Sequence, residues 1–107
     1  MWLRKVSQAL DAVVNPVSRV VKRGEHHLDL TAKEFALLEY LMRHAGQPVT
    51  RAMIAEQVWK FSWERLTNVI DVYVNHLRRK LEAHGEARLI HAVRGLGYVI
   101  RDAQSAD

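Results

Sequence analysis

The sequence contains no cysteine, and no run of apolar residues in it approaches the length needed to span a membrane. The absence of cysteine excludes disulfide bonds and thiolate metal sites. The opening residues, MWLRKVSQ, are too polar before Gln8 to hold the apolar core of a signal peptide. We therefore expect a cytoplasmic protein, and its 107 residues are enough for one small domain with a single core.

The motifs that carry common enzyme chemistry are also missing. The sequence has no His-Glu-x-x-His pattern and no glycine-rich loop that opens a helix, since RGLG falls in a predicted hairpin. The adjacent His26 and His27 would point to opposite faces of a strand, so they cannot easily share one ion. Other histidines are scattered over turns and a strand: His44, His84 and His91. We expect no enzyme activity, no cofactor and no metal site.

Positive charge is concentrated in one part of the chain. The formal net charge is +4, and residues 60–101 hold eight basic and four acidic side chains, so this part carries the whole excess. A basic surface of this kind favours a polyanion as partner, and nucleic acid before a membrane or an acidic protein. On charge alone the other interpretation stays open, because a modest excess is common among proteins in general.

The turn and helix-capping residues along the chain predict the order sheet, helix, helix, connector, helix, hairpin. Short apolar runs and Gly24 predict three or four antiparallel strands before Thr31. Thr31 and Glu34 form a capping-box pattern at the start of the first helix. Its buried stripe would comprise Phe35, Leu37, Leu38, Leu41, Met42 and Ala45, and Gly46 would end it.

The second helix and the segment after it are less regular. Thr50 is the expected cap, and the side chains expected to face inward are Met53, Ile54 and Val58. The connector KFSWERLT, at 60–67, is too long for the turn of a plain helix-turn-helix. One of its aromatic side chains should anchor in the core and the other should be exposed, and the sequence leaves open which. LIHAV, RGLG and YVIR then predict a hairpin with Arg94 at its tip.

The stretch TNVIDVYVNHLRRKLEA, at 67–83, predicts an amphipathic helix with two faces to explain. At about 100° per residue, one stripe collects apolar side chains that belong in a core: Ile70, Val74, Leu77 and Leu81. The opposite side carries Asn68, Val72, Asn75, His76 and Arg79. Such amides, cations and small apolar groups suit base edges, phosphates and thymine methyl groups. A solvated face with one stray valine remains the alternative at this point.

Four segments occur in an order that resembles the DNA-binding output domain of OmpR/PhoB-type response regulators. They are LTAKEFALLEYL, VTRAMIAEQVW, NVIDVYVNHLRRKL and LIHAVRGLGYVI, and the resemblance covers about residues 9–101. It implies an α+β winged helix-turn-helix: an N-terminal antiparallel sheet, three helices and a C-terminal β-hairpin wing. Residues 1–8 would then be a linker remnant, and residues 102–107 are expected to be a disordered tail.

The resemblance also implies roles for individual side chains, with the third helix in the major groove and the wing in the neighbouring minor groove. The residues nearest the bases would be Asp71, Val72, His76 and Arg79. Those along the phosphates would be Trp59, Asn68, Tyr73, Asn75, Arg78 and Tyr98. Arg94 would lie in the minor groove. The connector would occupy the place that touches RNA polymerase, with the candidates Phe61, Trp63 and Glu64. Phosphate affinity is expected from Arg78, Arg79 and Lys80.

A full response regulator carries a phosphorylated receiver domain before its output domain, and this chain has no room for one. We expect an excised output domain rather than a stand-alone protein, monomeric in isolation and binding direct DNA repeats as a tandem pair. The alternative is a winged helix used for protein contact. The charge excess of residues 60–101 and Arg94 favour DNA. Duplex RNA is disfavoured because its major groove is too narrow for a helix.

Overall fold

The structure, a computed structural model, describes residues 12–15, 17–62 and 68–101. The predicted linker remnant at 1–8, the predicted tail at 102–107 and the connector side chains of Trp63 and Glu64 lie outside the described residues. The elements are β1 (Ala12–Asn15), β2 (Val20–Arg23), β3 (His26–Leu28), α1 (Ala32–Arg43), β4 (Val49–Thr50), α2 (Arg51–Ile54) with a π-helical continuation (Ala55–Trp59), α3 (Val69–Leu81), β5 (Ile90–Val93) and β6 (Gly97–Ile100).

Two antiparallel sheets flank the three helices. The first has the order β1-β2-β3, as predicted, and its β2–β3 hairpin turns at Gly24, which has a φ of 59°. The second has the order β4-β6-β5, so the wing is a three-stranded sheet and not a bare hairpin. The sequence did not predict β4, because its two residues, paired with Tyr98 and Gly97, are too few to show alternation. The predicted α+β winged-helix fold is confirmed.

Helix α1 begins with the predicted capping box. The Thr31 hydroxyl accepts a hydrogen bond from the Glu34 backbone N–H at 3.3 Å, and the Glu34 carboxylate accepts one from the Thr31 N–H at 2.9 Å. The helix ends at Arg43, before the predicted Gly46. Ala45 therefore lies past the helix and is only half-buried, whereas the rest of the predicted stripe is buried: Phe35, Leu37, Leu38, Leu41 and Met42.

Glu34 also joins α1 to α3 through an ion pair. Its carboxylate lies 2.6 Å from the ammonium of Lys80, which in turn donates a hydrogen bond of 2.8 Å to the Asp29 carbonyl. Burial by itself would raise the pKa of Glu34, but hydrogen bonds from Lys80 and Thr31 lower it below its usual value. The Lys80 ammonium thus has two partners within the protein while its side chain stays 37% exposed, so the phosphate contact expected from the sequence would compete with these two contacts.

We predict that Glu34→Gln lowers the free energy of unfolding at pH 7 by about 1–2 kcal/mol, because a charged hydrogen-bonding partner is lost while the cap acceptor remains. Since folding lowers the carboxyl pKa, this stabilisation is present above the unfolded-state pKa, near 4.5, and disappears as pH falls through the folded-state value. Urea denaturation at pH 7 and below pH 4 measures the difference.

Glu39→Gln is the matched control on the same helix. Its carboxylate pairs with Arg43 at 2.9 Å on the surface, where an ion pair contributes less than about 0.5 kcal/mol. A role for the Lys80 ion pair would be contradicted by either of two results. The decrease in unfolding free energy caused by Glu34→Gln could be the same below pH 4 as at pH 7, or it could equal the decrease caused by Glu39→Gln.

Helix α2 starts where predicted, but one side chain that was expected to face the core is exposed. The Thr50 hydroxyl accepts a hydrogen bond from the Met53 N–H at 3.0 Å, and Ile54 and Val58 are buried as expected. The prediction for Met53 was wrong, because its side chain is 40% exposed. Ile54, Ala55 and Val58 form the inward stripe, and Met53 lies about 100° away from Ile54 on the helix.

Helix α3 supplies the centre of the core. It begins at Val69 and ends at Leu81, two residues inside each predicted boundary, and the stripe of Ile70, Val74, Leu77 and Leu81 is buried as predicted. A buried arginine of β2 holds its C-terminal end: Arg23 donates hydrogen bonds to the carbonyls of Leu81 at 2.7 Å and Ala87 at 2.5 Å.

None of the helices in the described ranges has the length and apolar character that a membrane crossing requires.

Candidate nucleic-acid interface

The side of α3 opposite the core is a continuous exposed surface. We call it the outer face, and it consists of Asn68, Val72, Asn75, His76 and Arg79, all of them exposed. It exists because the buried stripe recurs at spacings of four, three and four residues, which leaves the intervening positions on the far side of the helix. The side chain of Val72 is 46% exposed on an otherwise polar surface.

Two exposed arginines, one on the outer face and one in the wing, have no competing partner within the part of the chain that the structure describes. No hydrogen bond or ion pair engages the guanidinium of Arg79 there, and the same holds for Arg94. Arg94 lies in the turn of the wing, between β5 and β6, where the neighbouring Gly95 has a φ of 76°. The predicted position of Arg94 at the hairpin tip is confirmed.

Asp71 is held by contacts within the protein. Its Oδ1 accepts a hydrogen bond from the Arg51 Nε at 3.0 Å and another from the Tyr98 hydroxyl. The carboxylate thus connects the start of α2, the first turn of α3 and the central strand of the wing. Both of these contacts use Oδ1, so Oδ2 is the oxygen that remains for the base contact predicted for Asp71.

Tyr98 lies inside this junction and not on its rim. It is 5% exposed, and its ring lies between two guanidinium groups, with centroid distances of 5.0 Å to Arg51 and 5.6 Å to Arg78. Burial, and then the hydrogen bond to Asp71, raise the pKa of its hydroxyl above the usual value. A phosphate contact by Tyr98, as predicted from the sequence, would require the hydroxyl to leave Asp71.

Arg78 fastens α3 to the wing from the other side. Its Nε donates a hydrogen bond of 3.0 Å to the Ile90 carbonyl in β5, and one of its terminal nitrogens donates to the Asn75 side chain at 3.3 Å. Arg78 is half-buried, so part of its guanidinium stays accessible for the predicted phosphate contact.

Trp59 and Tyr73 form an aromatic wall beside the outer face. Their rings meet edge to face at a centroid distance of 5.2 Å, both are half-buried, and the Tyr73 ring lies 6.2 Å from that of His76. Phe61, in the connector, is 53% exposed, so it is not the aromatic side chain that anchors in the core. Its counterpart, Trp63, is outside the described residues.

The role of Arg51 in this junction was not predicted from the sequence. In the linear sequence it is one more basic residue after a helix cap, and nothing local indicates a partner twenty positions later. The alternation of LIHAV and YVIR did place Tyr98 in a strand, but pairing of β6 with β4 is what brings its ring against Arg51.

A three-helix domain whose third helix exposes a polar face beside a β-sheet wing is a winged helix-turn-helix domain. The chain belongs to the family described as "Transcriptional regulatory protein, C terminal", which matches residues 24–100. The resemblance to OmpR/PhoB-type output domains is thereby confirmed.

Relatives and solved structures agree with this assignment. "Response regulator MprA" of Mycobacterium bovis (strain BCG / Pasteur 1173P2) is 50% identical over 92 residues, which are 86% of this chain and 40% of that protein. The chain therefore spans 40% of the length of such relatives. The DNA-binding domain of CpxR from E. coli superposes with a TM-score of 0.76 at 31% identity, covering 88% of this chain and 94% of that one. The Klebsiella pneumoniae RstA DNA-binding domain, solved with the RstA box, also gives 0.76, at 26% identity, with coverages of 86% and 92%.

Proposed function

We propose that this domain binds double-stranded DNA in a sequence-specific manner, as the output domain of a two-component transcriptional regulator. The observation that carries the proposal is the outer face of α3: an exposed helix surface of amides, a histidine, an unpaired arginine and one valine. A helix of this width fits the major groove, where such groups distinguish all four base pairs. The solved DNA complex of a relative with the same fold supports the proposal.

Base contact is assigned to the exposed positions of α3, and wing contact to the hairpin tip. Val72 would meet a thymine methyl group, Arg79 would donate to a guanine, and His76 and the free oxygen of Asp71 would serve flanking bases. Arg94 would enter the minor groove and respond to its width. The phosphate contacts would come from Trp59, Asn68, Tyr73, Asn75 and Arg78, and from Tyr98 once its hydroxyl leaves Asp71.

The internal contacts of Asp71 and Arg78 support simultaneous use of helix and wing. Each ties α3 to the wing sheet through a different strand, at Tyr98 and at Ile90. Because the two groove-reading elements are already fixed relative to each other, binding needs less ordering of the protein.

Three partners of the whole regulator extend the proposal. The relatives named as response regulators are longer than this chain, which supports a receiver domain in the full-length protein. We propose that Phe61, with Trp63 and Glu64, forms a contact to RNA polymerase, supported by the exposure of Phe61. We also propose that two copies bind direct repeats in tandem, with the isolated domain monomeric.

The test separates specific from general contacts. We expect Arg94→Ala to weaken binding to a selected operator and to a random duplex alike, and to lower the slope of log K against log salt by about 1. Val72→Ala should weaken only operator binding, by about 1 kcal/mol or fivefold, because two methyl groups are lost from one contact. Fluorescence anisotropy across a salt series, with an operator selected from a random pool, measures both.

Val17→Ala is the matched control. Val17 is 80% exposed in the turn between β1 and β2, so the same two methyl groups are removed away from the outer face. If Val72→Ala weakened random-duplex binding as much as operator binding, the assignment of the outer face would be wrong. Absence of any binding to duplex at low salt would exclude the DNA proposal and favour a protein-contact winged helix.

A further inference from the structure

The tertiary fold brings together two histidines that the sequence keeps far apart. His26 is the first residue of β3, and His84 lies in the turn that follows α3. Their imidazole rings stack with centroids 3.6 Å apart and planes inclined by 6°. Glu86 lies beside them, and one candidate ligand atom from each of the three residues lies within 4.8 Å of the others.

Arg23 holds the backbone segments that carry these residues next to each other. Arg23 pairs with His26 in the β2–β3 ladder, and its guanidinium holds the carbonyls on both sides of the turn, at Leu81 and Ala87. Glu86 braces the same turn by accepting a hydrogen bond from the His84 backbone N–H at 2.9 Å. The turn that carries His84 and Glu86 is therefore fixed above the strand that carries His26.

The donor atoms of the cluster are of types that suit a cation. Neutral imidazole nitrogen is a common ligand of divalent transition metals. The Glu86 carboxylate adds an anionic oxygen donor. Its second oxygen lies 3.8 Å from the His84 Nδ1.

We propose that His26, His84 and Glu86 form a binding site for a divalent transition-metal ion, with Zn²⁺ as the best-matched ion. Two imidazole nitrogens and one carboxylate oxygen are ligands that Zn²⁺ uses at about 2.0–2.2 Å, with water in the fourth position. Ligand atoms around a tetrahedral ion at these lengths are about 3.3 Å apart. The nitrogen lone pairs lie in the ring planes, so metal binding requires the two rings to turn out of their parallel stack. Both histidine side chains are exposed, so rotation about their χ angles can bring the ligand atoms from within 4.8 Å to this spacing.

The bound ion would cross-link the N-terminal sheet to the end of α3, next to the contacts that Arg23 makes. The chain has no cysteine, so no thiolate competes for the metal. This site is independent of the DNA proposal, since it uses none of the residues assigned to either groove.

Titration calorimetry with ZnCl₂ in metal-free buffer tests the proposal on the whole chain. We expect one Zn²⁺ per chain at micromolar concentration, with a rise in Tm on addition of Zn²⁺. His26→Gln and His84→Gln should each weaken binding at least about tenfold, because loss of a direct ligand costs no less than loss of an outer partner. His27→Gln should change nothing, since His27 neighbours His26 in the same strand and points to the opposite face.

A second readout uses Co²⁺ in place of Zn²⁺. The wild-type chain and His27→Gln should show the visible absorption of tetrahedral Co²⁺, and the two ligand variants should lose it. Circular dichroism checks that each variant is folded. The two ligand variants lie on separate elements, so if one of them fails to fold, the other still tests the proposal. The proposal is overturned if Zn²⁺ produces no saturable heat, or if His27→Gln weakens binding as much as His26→Gln does.

Discussion

Replacement of Gly97 by alanine is expected to lower the free energy of unfolding by about 3 kcal/mol or more. Gly97 begins β6, the central strand of the wing sheet, and is paired with Thr50 on one side and Val93 on the other. A Cβ atom built there would meet the Val49 carbonyl oxygen and lie 2.9 Å from the Thr50 Cα. Both are backbone atoms, which cannot rotate away as a side chain can, so the β4–β6 pairing would have to open.

Gly46→Ala provides the control for this prediction. Gly46 has a φ of 83°, but nothing lies within 4 Å of the position of its added Cβ, so only backbone strain of about 1 kcal/mol is expected. Urea denaturation followed by circular dichroism compares the two variants. Equal midpoints would mean that the wing sheet can shift to admit a methyl group, and that the close approach of β4 is not a constraint.

Asp71→Ala is expected to have the second-largest effect, a loss of about 2 kcal/mol. The substitution leaves the buried Tyr98 hydroxyl without its acceptor, which costs about 1–3 kcal/mol. The Arg51 ion pair is partly exposed and adds less. DNA binding should weaken as well, because α3 and the wing lose one of the two hydrogen bonds described between them.

A double-mutant cycle with Tyr98→Phe isolates the contribution of the hydroxyl. If Asp71 and Tyr98 stabilise the domain through their shared hydrogen bond, the two losses should fall short of additivity by about 1 kcal/mol. Glu82→Ala, at the residue that follows α3, is the control. Its carboxylate pairs with Arg88 on the surface at 3.1 Å, so its loss should cost less than about 0.5 kcal/mol. Strictly additive losses for Asp71 and Tyr98 would contradict a direct coupling.

The helices could be predicted from the sequence because their signals are local. The capping box of Thr31 and Glu34 lies within one helical turn, and the buried stripe of α3 repeats over about three turns. Strand β4 could not, because two residues carry no period and their pairing partner, β6, lies at the other end of the domain. Met53 was misplaced because the inward stripe of α2 depends on where the helix packs, which its short sequence does not determine.

The residues of the candidate interface also fall into those that local sequence predicts and those that only the tertiary fold explains. Exposure of Val72 and Arg79 followed from helical periodicity, and Arg94 followed from its place between two apolar strands. The internal use of Asp71, Tyr98 and Lys80 did not follow, since each has a partner that only the tertiary fold brings near. A charged or aromatic residue in a basic segment therefore looks the same in sequence whether it contacts a ligand or braces the residues that do.

The pairing of β4 with β6 has a consequence for how this domain can diversify. These two short strands close a loop of chain that contains α2, the connector at 60–67 and α3. The entropy lost on closing a loop grows only with the logarithm of its length, so that doubling the length costs about 0.6 kcal/mol. Insertions or deletions in the connector are thus thermodynamically cheap compared with changes in either sheet. The segment between the second and third helices can therefore change in length and composition under selection for new partners, while the pairing of β4 with β6 is preserved.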